Sequence, residues 1–168
     1  TLVKHLSKEG ALVTIADINQ DRVSRIAMEF GTQVVEGDGI YDLDMDIYAP
    51  CALGATLNDN TIERLKCSVI AGAANNQLQD EIVHGRRLME KGVLYAPDFL
   101  INAGGLINVY REVTGTSEAR AMELTENIYQ TTTDIFNRSN ADGLTPQEAA
   151  MGIAKDRIEA IAKIKSVL

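Results

Sequence analysis

Short apolar runs alternate with segments of helical period along the first two thirds of this chain, and glycine closes several of the helical segments. ALVTIAD (11–17) precedes the amphipathic INQDRVSRIAMEFG (18–31), and CSVIAG (67–72) and GVLYAP (92–97) flank QDEIVHGRRLMEKG (79–92). Apolar runs that do not alternate with polar residues suit strands covered on both faces. Strands and helices in alternation then give βαβ units and a mostly parallel sheet. TQVVE (32–36) and DIYAP (46–50) add two short strands, and Asn58 or Asp59 can cap a short helix through Leu65. The opening LVKHLSKEG reads as the end of a helix closed by Gly10.

The last third changes character. Helices are predicted over 102–114, 117–139 and 146–166. Thr145-Pro146-Gln147-Glu148 is a strong helix start, an N-cap followed by proline at the first helical position. Ala149, Ile153, Ala154, Ile158, Ile161 and Ile164 follow with helical spacing. The prediction is one α/β domain with a helical C-terminal extension.

The 168 residues are 45% hydrophobic and 24% charged, enough for a domain with a real core. A net charge of −8 with the signs interspersed argues against nucleic acid or an anionic membrane as partner. No apolar run approaches the roughly 20 residues of a membrane span. The first ten residues lack the apolar core of a signal peptide. Cys51 and Cys67 form neither a metal spacing nor a disulfide framework, so a reduced, cytoplasmic setting is expected. DGIYDLDMD (38–46) lacks the spacing of a calcium loop and reads as a solvated loop, and no metal site is expected.

Two carboxamide clusters stand out: AGAANN (71–76) and INAGG (101–105). Glycine and alanine let backbone approach a flat polar ligand, and side-chain amides can orient it. Asn75, Asn76, Asn102 and Asn108 are therefore candidates for function. Each also has a plain alternative. Asn75 and Asn76 can cap the following helix, and Asn102 can cap 102–114. Leu106 and Val109, spaced i, i+3, read as core by period alone. Cys51 reads as a small buried residue, and His84 as a surface or helix-packing histidine.

Asp17 ends an apolar strand and precedes a helix. In dinucleotide-binding folds an acidic residue at the end of the second strand bonds the adenosine ribose, about 20 residues after a glycine-rich phosphate loop. Only sixteen residues precede Asp17, and none forms GxGxxG. On this reading the fold is Rossmann-like and doubly wound, its sheet lacking the first strand, and the chain begins just after the loop. On the other reading Asp17 simply caps the helix at 18–30.

With Asp17, PCALG (50–54), GAANNQL (72–78) and YAPDFLINAGG (95–105) taken together, the sequence resembles the leucine/phenylalanine/valine/glutamate dehydrogenase family, and looks closest to its leucine-specific members. The resemblance implies an NAD-binding portion over 1–110 and a helical extension over 111–168 packing on the same domain. It also implies a substrate domain, carrying the catalytic lysines and an aspartate, upstream of the residue matching Thr1. Asp17 would bond the ribose and Ile18 would flank the adenine. Cys51, Ala52 and Leu53 would line the adenine and ribose crevice. Ala73 and Ala74 would lie beside the nicotinamide, with Asn102 positioning its end. Asn76 would reach the junction of nicotinamide and substrate, and Leu106 and Val109 would face the substrate side chain.

The implied reaction is reversible oxidative deamination of a branched-chain L-amino acid to its 2-oxo acid and ammonia, in a homo-oligomeric enzyme. No catalytic residue is expected in this chain, because Lys66 and Lys91 sit at strand starts, away from the carboxyl ends where ligands bind. The fragment alone is expected to be inactive. Alternatives are another substrate within the family (phenylalanine, tryptophan, valine or glutamate) and a non-catalytic dinucleotide-binding or interaction module.

Overall fold

The computed structural model describes residues 1–165. The chain divides into two compact units, Thr1–Asp44 with Arg64–Lys66, and Met45–Glu63 with Cys67–Leu168.

The first unit runs α1 (Leu2–Lys8), β1 (Thr14–Ile15), α2 (Gln20–Phe30) and β2 (Gln33–Val34), ending in a 3₁₀ turn at Gly37–Asp42. β1 and β2 pair in parallel, Thr14 with Gln33 and Ile15 with Val34. Asn19 caps α2 by accepting a bond from the Arg22 N–H, and Gly31 ends it in the left-handed region at φ 66°. Asp17 is not the cap. Its carboxylate accepts from the Asn19 N–H at 2.9 Å and from Arg22 at 3.3 Å, a local turn one step ahead of the cap.

The acidic stretch expected as a solvated loop is partly ordered by a cation. Arg64 bonds both oxygens of Asp42, at 2.9 and 2.8 Å, and the Asp38 carbonyl at 2.7 Å, and lies 5.3 Å from the Tyr41 ring centre. The Arg64 bond holds the Asp42 carboxyl below its ordinary pKa.

The second unit contains β3 (Ile47–Tyr48), α3 (Asp59–Arg64), β4 (Val69–Ile70), α4 (Glu81–Glu90), β5 (Leu94–Tyr95), α5 (Asp98–Ile101), α6 (Gly104–Thr114), α7 (Glu118–Asp142) and α8 (Pro146–Lys165). β3, β4 and β5 form a parallel sheet in that order, with Tyr48 opposite Ile70 and Ile70 opposite Tyr95. The paired ladders are shorter than the apolar runs. Pro50 and Pro97, just past β3 and β5, have no N–H to continue the pairing. Leu57, Ile62, Ile70 and Leu88 are fully buried around this sheet. A second cluster joins Ile135, Ala149 and Ala150 with Leu100, Phe136 and Ile153.

The strands form two parallel sheets where a single sheet was expected. The helix predicted at 102–114 is α6, starting at Gly104, and a separate short helix precedes it: Asn102 closes α5 at φ −96°. The start signal at Thr145 is a full capping box. The Glu148 N–H donates to the Thr145 hydroxyl at 3.2 Å, and the Thr145 N–H to the Glu148 carboxylate at 2.9 Å. The stripe along α8 packs only near its start, since Ile158 and Ile161 are exposed. The Ile164 side chain and the predicted helix end at Ser166 fall outside the described residues.

Candidate functional site

In a parallel sheet all strands point one way, so β3, β4 and β5 deliver their following loops to one edge. Those loops are residues 49–57, 71–79 and 96–103, and the first two are sewn together by backbone. The Ala74 N–H donates to the Pro50 carbonyl at 3.0 Å, and the Ala55 N–H to the Asn76 carbonyl at 2.6 Å. Leu57 and Leu78 add a parallel bridge. The glycines here are set by close approach. A Cβ on Gly54 would sit 2.7 Å from the Asn75 and Asn76 carbonyl oxygens, and one on Gly72 would overlap the Pro50 backbone.

Asn76 has φ 51° and Ala55 φ 60°, the only non-glycine residues with positive φ among those described. Asparagine tolerates that region; alanine does so at a cost on the order of 1 kcal/mol. Backbone strain of this kind collects where surrounding structure fixes a loop for use.

Gln77 does much of the fixing. Its side chain is fully buried, and Nε2 donates to the Gly72 carbonyl at 2.8 Å and the Ala74 carbonyl at 3.0 Å. Its N–H donates to the Asp98 carboxylate at 2.8 Å. Tyr95 is 2% exposed and feels the Asp98 charge. Burial first, then the Asp98 charge, pushes its phenol pKa well above the ordinary value.

The two carboxamide clusters meet. Asn102 Nδ2 donates to Asn75 Oδ1, and both residues reach solvent. Capping is not what occupies Asn75 and Asn76: α4 is capped by Asp80, whose carboxylate accepts from the Ile82 and Val83 N–H groups. Nor does Asn102 cap α6, whose N-cap position is Ala103. Asn108 stands apart from the clusters, its amide engaged along α6 with Arg111 and Glu112.

Of the other expected site residues, Ala52, Leu53 and Ala73 are exposed and Ala74 is buried. Cys51, expected to be buried, is exposed, because it follows the proline that ends strand pairing. Leu106 and Val109 are 72% and 54% exposed, so helical period misplaced them as core. Gly104 and Gly105 beside them have open space where a side chain would be. Asp17 and the fully exposed Ile18 belong to the first unit.

His84 is buried inside α4, its Nδ1 accepting from the Asp80 N–H at 2.9 Å and its Nε2 3.4 Å from Asp59. It packs helices, as one of its two readings had it. Lys91 bonds the Ile62 and Glu63 carbonyls at 2.5 and 2.9 Å, which occupies it at the end of α3. No group of three or more metal-ligating side chains occurs among the described residues.

Gln77 and Asp98 are absent from the residues expected from sequence. A glutamine beside two asparagines reads as one more surface amide, and an aspartate after proline reads as a turn. The available signal was position, since both follow apolar strands, at the carboxyl ends where ligands bind.

Three parallel strands ending in a pinned, amide-lined edge define an α/β architecture of the kind whose carboxyl edge suits a ligand. The profile of the Glutamate/Leucine/Phenylalanine/Valine dehydrogenase family matches residues 5–165, and the chain belongs to that family. It is 50% identical to leucine dehydrogenase of Thermoactinomyces intermedius over 98% of this chain and 45% of the relative. It is 44% identical to phenylalanine dehydrogenase of Bacillus thermotolerans over 94% of this chain and 42% of the relative. The crystal structure of L-tryptophan dehydrogenase from Nostoc punctiforme superposes with a TM-score of 0.93 at 45% identity, covering 96% of this chain and 48% of that one. The chain thus spans about half the length of the relatives it matches.

Proposed function

We propose that this chain is the NAD-binding part of an amino acid dehydrogenase that oxidatively deaminates a branched-chain, leucine-like L-amino acid. The observation that carries the reading is the meeting of Asn75 with Asn102 at the carboxyl edge of β3, β4 and β5, next to the positive-φ Asn76, with the amides free of capping duty. The room beside Gly104 and Gly105, and the backbone of residues 71–76 held at that edge, fit a flat nicotinamide. Bound there, NAD would accept a hydride from the substrate Cα, giving 2-oxo acid and ammonium after uptake of water.

This chain's residues would bind and orient. Asn76 and Asn102 offer neutral amides to a carboxamide or carboxylate without adding charge. Ala73 and Ala74 let the ring lie close. Cys51, Ala52 and Leu53 would border the adenosine side, and Leu106 and Val109 the substrate side chain. In the first unit the Asp17 carboxylate would take the ribose hydroxyls by exchanging its local bonds, with Ile18 flanking the adenine. Proton transfer needs a tuned lysine and carboxylate, which the reading assigns to a substrate domain outside these residues.

Strand order supports the reading as well. A doubly wound sheet of order 3-2-1-4-5-6 that lacks strand 1 leaves a pair and a triplet, the two sheets this chain forms. Relatives named for leucine, tryptophan and phenylalanine all lie between 44% and 50% identity, so the choice of substrate rests with the pocket residues. Leu106 and Val109 would shape a medium apolar pocket, and that favours leucine.

The test is an activity and binding pair. The purified chain should form no NADH from leucine and NAD, and calorimetry should show at best weak NAD binding, because no glycine-rich phosphate loop is present in the sequence. Leucine-dependent NADH formation by these residues alone would sink the assignment of the proton chemistry to another domain. Micromolar NAD affinity would refute the need for the loop.

A further inference from the structure

We infer that Asp98 and Gln77 are positioning residues of this site: together they hold the strained turn that presents Asn76. The inference rests on the reading of Asn76 as a cofactor-facing amide, and its loop geometry can be tested separately. Asn76 lies between two fixed ends. On one side, Gly72 and Ala74 are pressed against Pro50 and bonded by Gln77 Nε2. On the other, the Gln77 N–H is bonded to Asp98 at 2.8 Å. Among uncharged side chains, only a primary amide supplies two N–H donors from one nitrogen to two carbonyls. Glutamate would bring only acceptors, and leucine would leave both carbonyls unmatched. A carboxylate at 98 accepts the Gln77 N–H at 2.8 Å, and charge-assisted bonds of that kind are the stronger ones. The pairing ties the loop after β4 to the loop after β5, the segments that carry Asn76 and Asn102.

Three proteins compared by NMR test it: the unsubstituted chain, Asp98→Ala and Asp98→Asn. In Asp98→Ala, exchange of the Gln77 amide should accelerate about tenfold or more. The carboxamide signals of Asn75, Asn76 and Asn102 should move with it, while amides around Ile135 and Ala149 stay protected. Asp98→Asn keeps an acceptor in the same shape and should restore most of the protection. The shift of the Asn76 carboxamide on adding millimolar NADH should be lost in Asp98→Ala and regained in Asp98→Asn, a pattern that general loosening of the fold does not produce. Should Asp98→Ala fail to fold, Asp98→Ser draws the acceptor back from the Gln77 N–H and should accelerate its exchange about threefold. Unchanged exchange and unchanged asparagine signals in Asp98→Ala overturn the inference, as does failure of Asp98→Asn to restore them. If NADH moves neither Asn76 nor Asn102 in the unsubstituted chain, the cofactor reading fails while the loop result stands.

Discussion

The ends of β1 and β4 are built from opposite materials. After β4 the turn is held largely from within, by Gln77 at 0% exposure, the half-buried Asp98 carboxylate, and Gly72, which leaves no room for a Cβ. After β1 the turn is held at the surface, with Asp17 bonded to its neighbours Asn19 and Arg22. Bonds in the interior are costly to leave unmade, whereas exposed ones exchange with water at little cost. The first arrangement fixes geometry in advance; the second leaves a carboxylate able to change partners. A wall that must align two reacting carbons benefits from the first kind, and a hydroxyl-binding carboxylate can work with the second.

The comparison can be broken by substitution. Gln77→Leu should have the largest effect, about 3 kcal/mol or more in urea unfolding, because the buried Gly72 and Ala74 carbonyls lose their donor. Gly72→Ala should follow at about 2 kcal/mol, since the new methyl overlaps the Pro50 backbone. Either variant behaving like the parent chain would mean that the β4 end is not rigid.

Tyr95 gives a pH signature of intermediate size. Its phenol pKa is raised above the ordinary 10.0, so the unfolded chain releases this proton before the folded one does. The stabilisation is fully present below pH 10 and fades as pH climbs from there through the higher native value. The stability difference between the parent and Tyr95→Phe should therefore be flat below pH 10 and decline above it. A difference constant to pH 12 contradicts burial of the phenol beside the Asp98 charge. At the smallest end, Asp17→Ala should change unfolding by no more than about 0.5 kcal/mol. A loss matching that of Gln77→Leu would erase the distinction between the two strand ends.

Much of this was legible in the sequence because it rests on local chemistry. The Thr145–Glu148 capping box, the helix closed by Gly31 and the parallel strands at 67–72 and 92–97 all follow from period, caps and breakers. The carboxamide pair Asn75 and Asn102 was visible as composition, but not as a contact across 27 positions. Gln77 and Asp98 were missed because their roles depend on what the fold brings to them: two carbonyls, a backbone N–H and a tyrosine. Leu106 and Val109 show the converse error. Helical period gives a common face, but what covers that face is decided elsewhere, and here both are exposed. Asp17 read either as a ribose ligand or as a cap. The structure gives the cap to Asn19 and leaves the carboxylate in a local turn that does not prevent the other use.

The central claim is that the amide-lined edge of β3, β4 and β5 is a nicotinamide wall. It is tested most directly by titrating the ¹⁵N-labelled chain with NADH and, in parallel, with adenosine diphosphate ribose, which lacks the nicotinamide. The account predicts that NADH at millimolar concentration shifts the side-chain amides of Asn76 and Asn102 and the backbone amides of Ala73 and Ala74, and that adenosine diphosphate ribose leaves those four residues in place. Equal shifts with both compounds, or shifts that avoid these residues altogether, would contradict it.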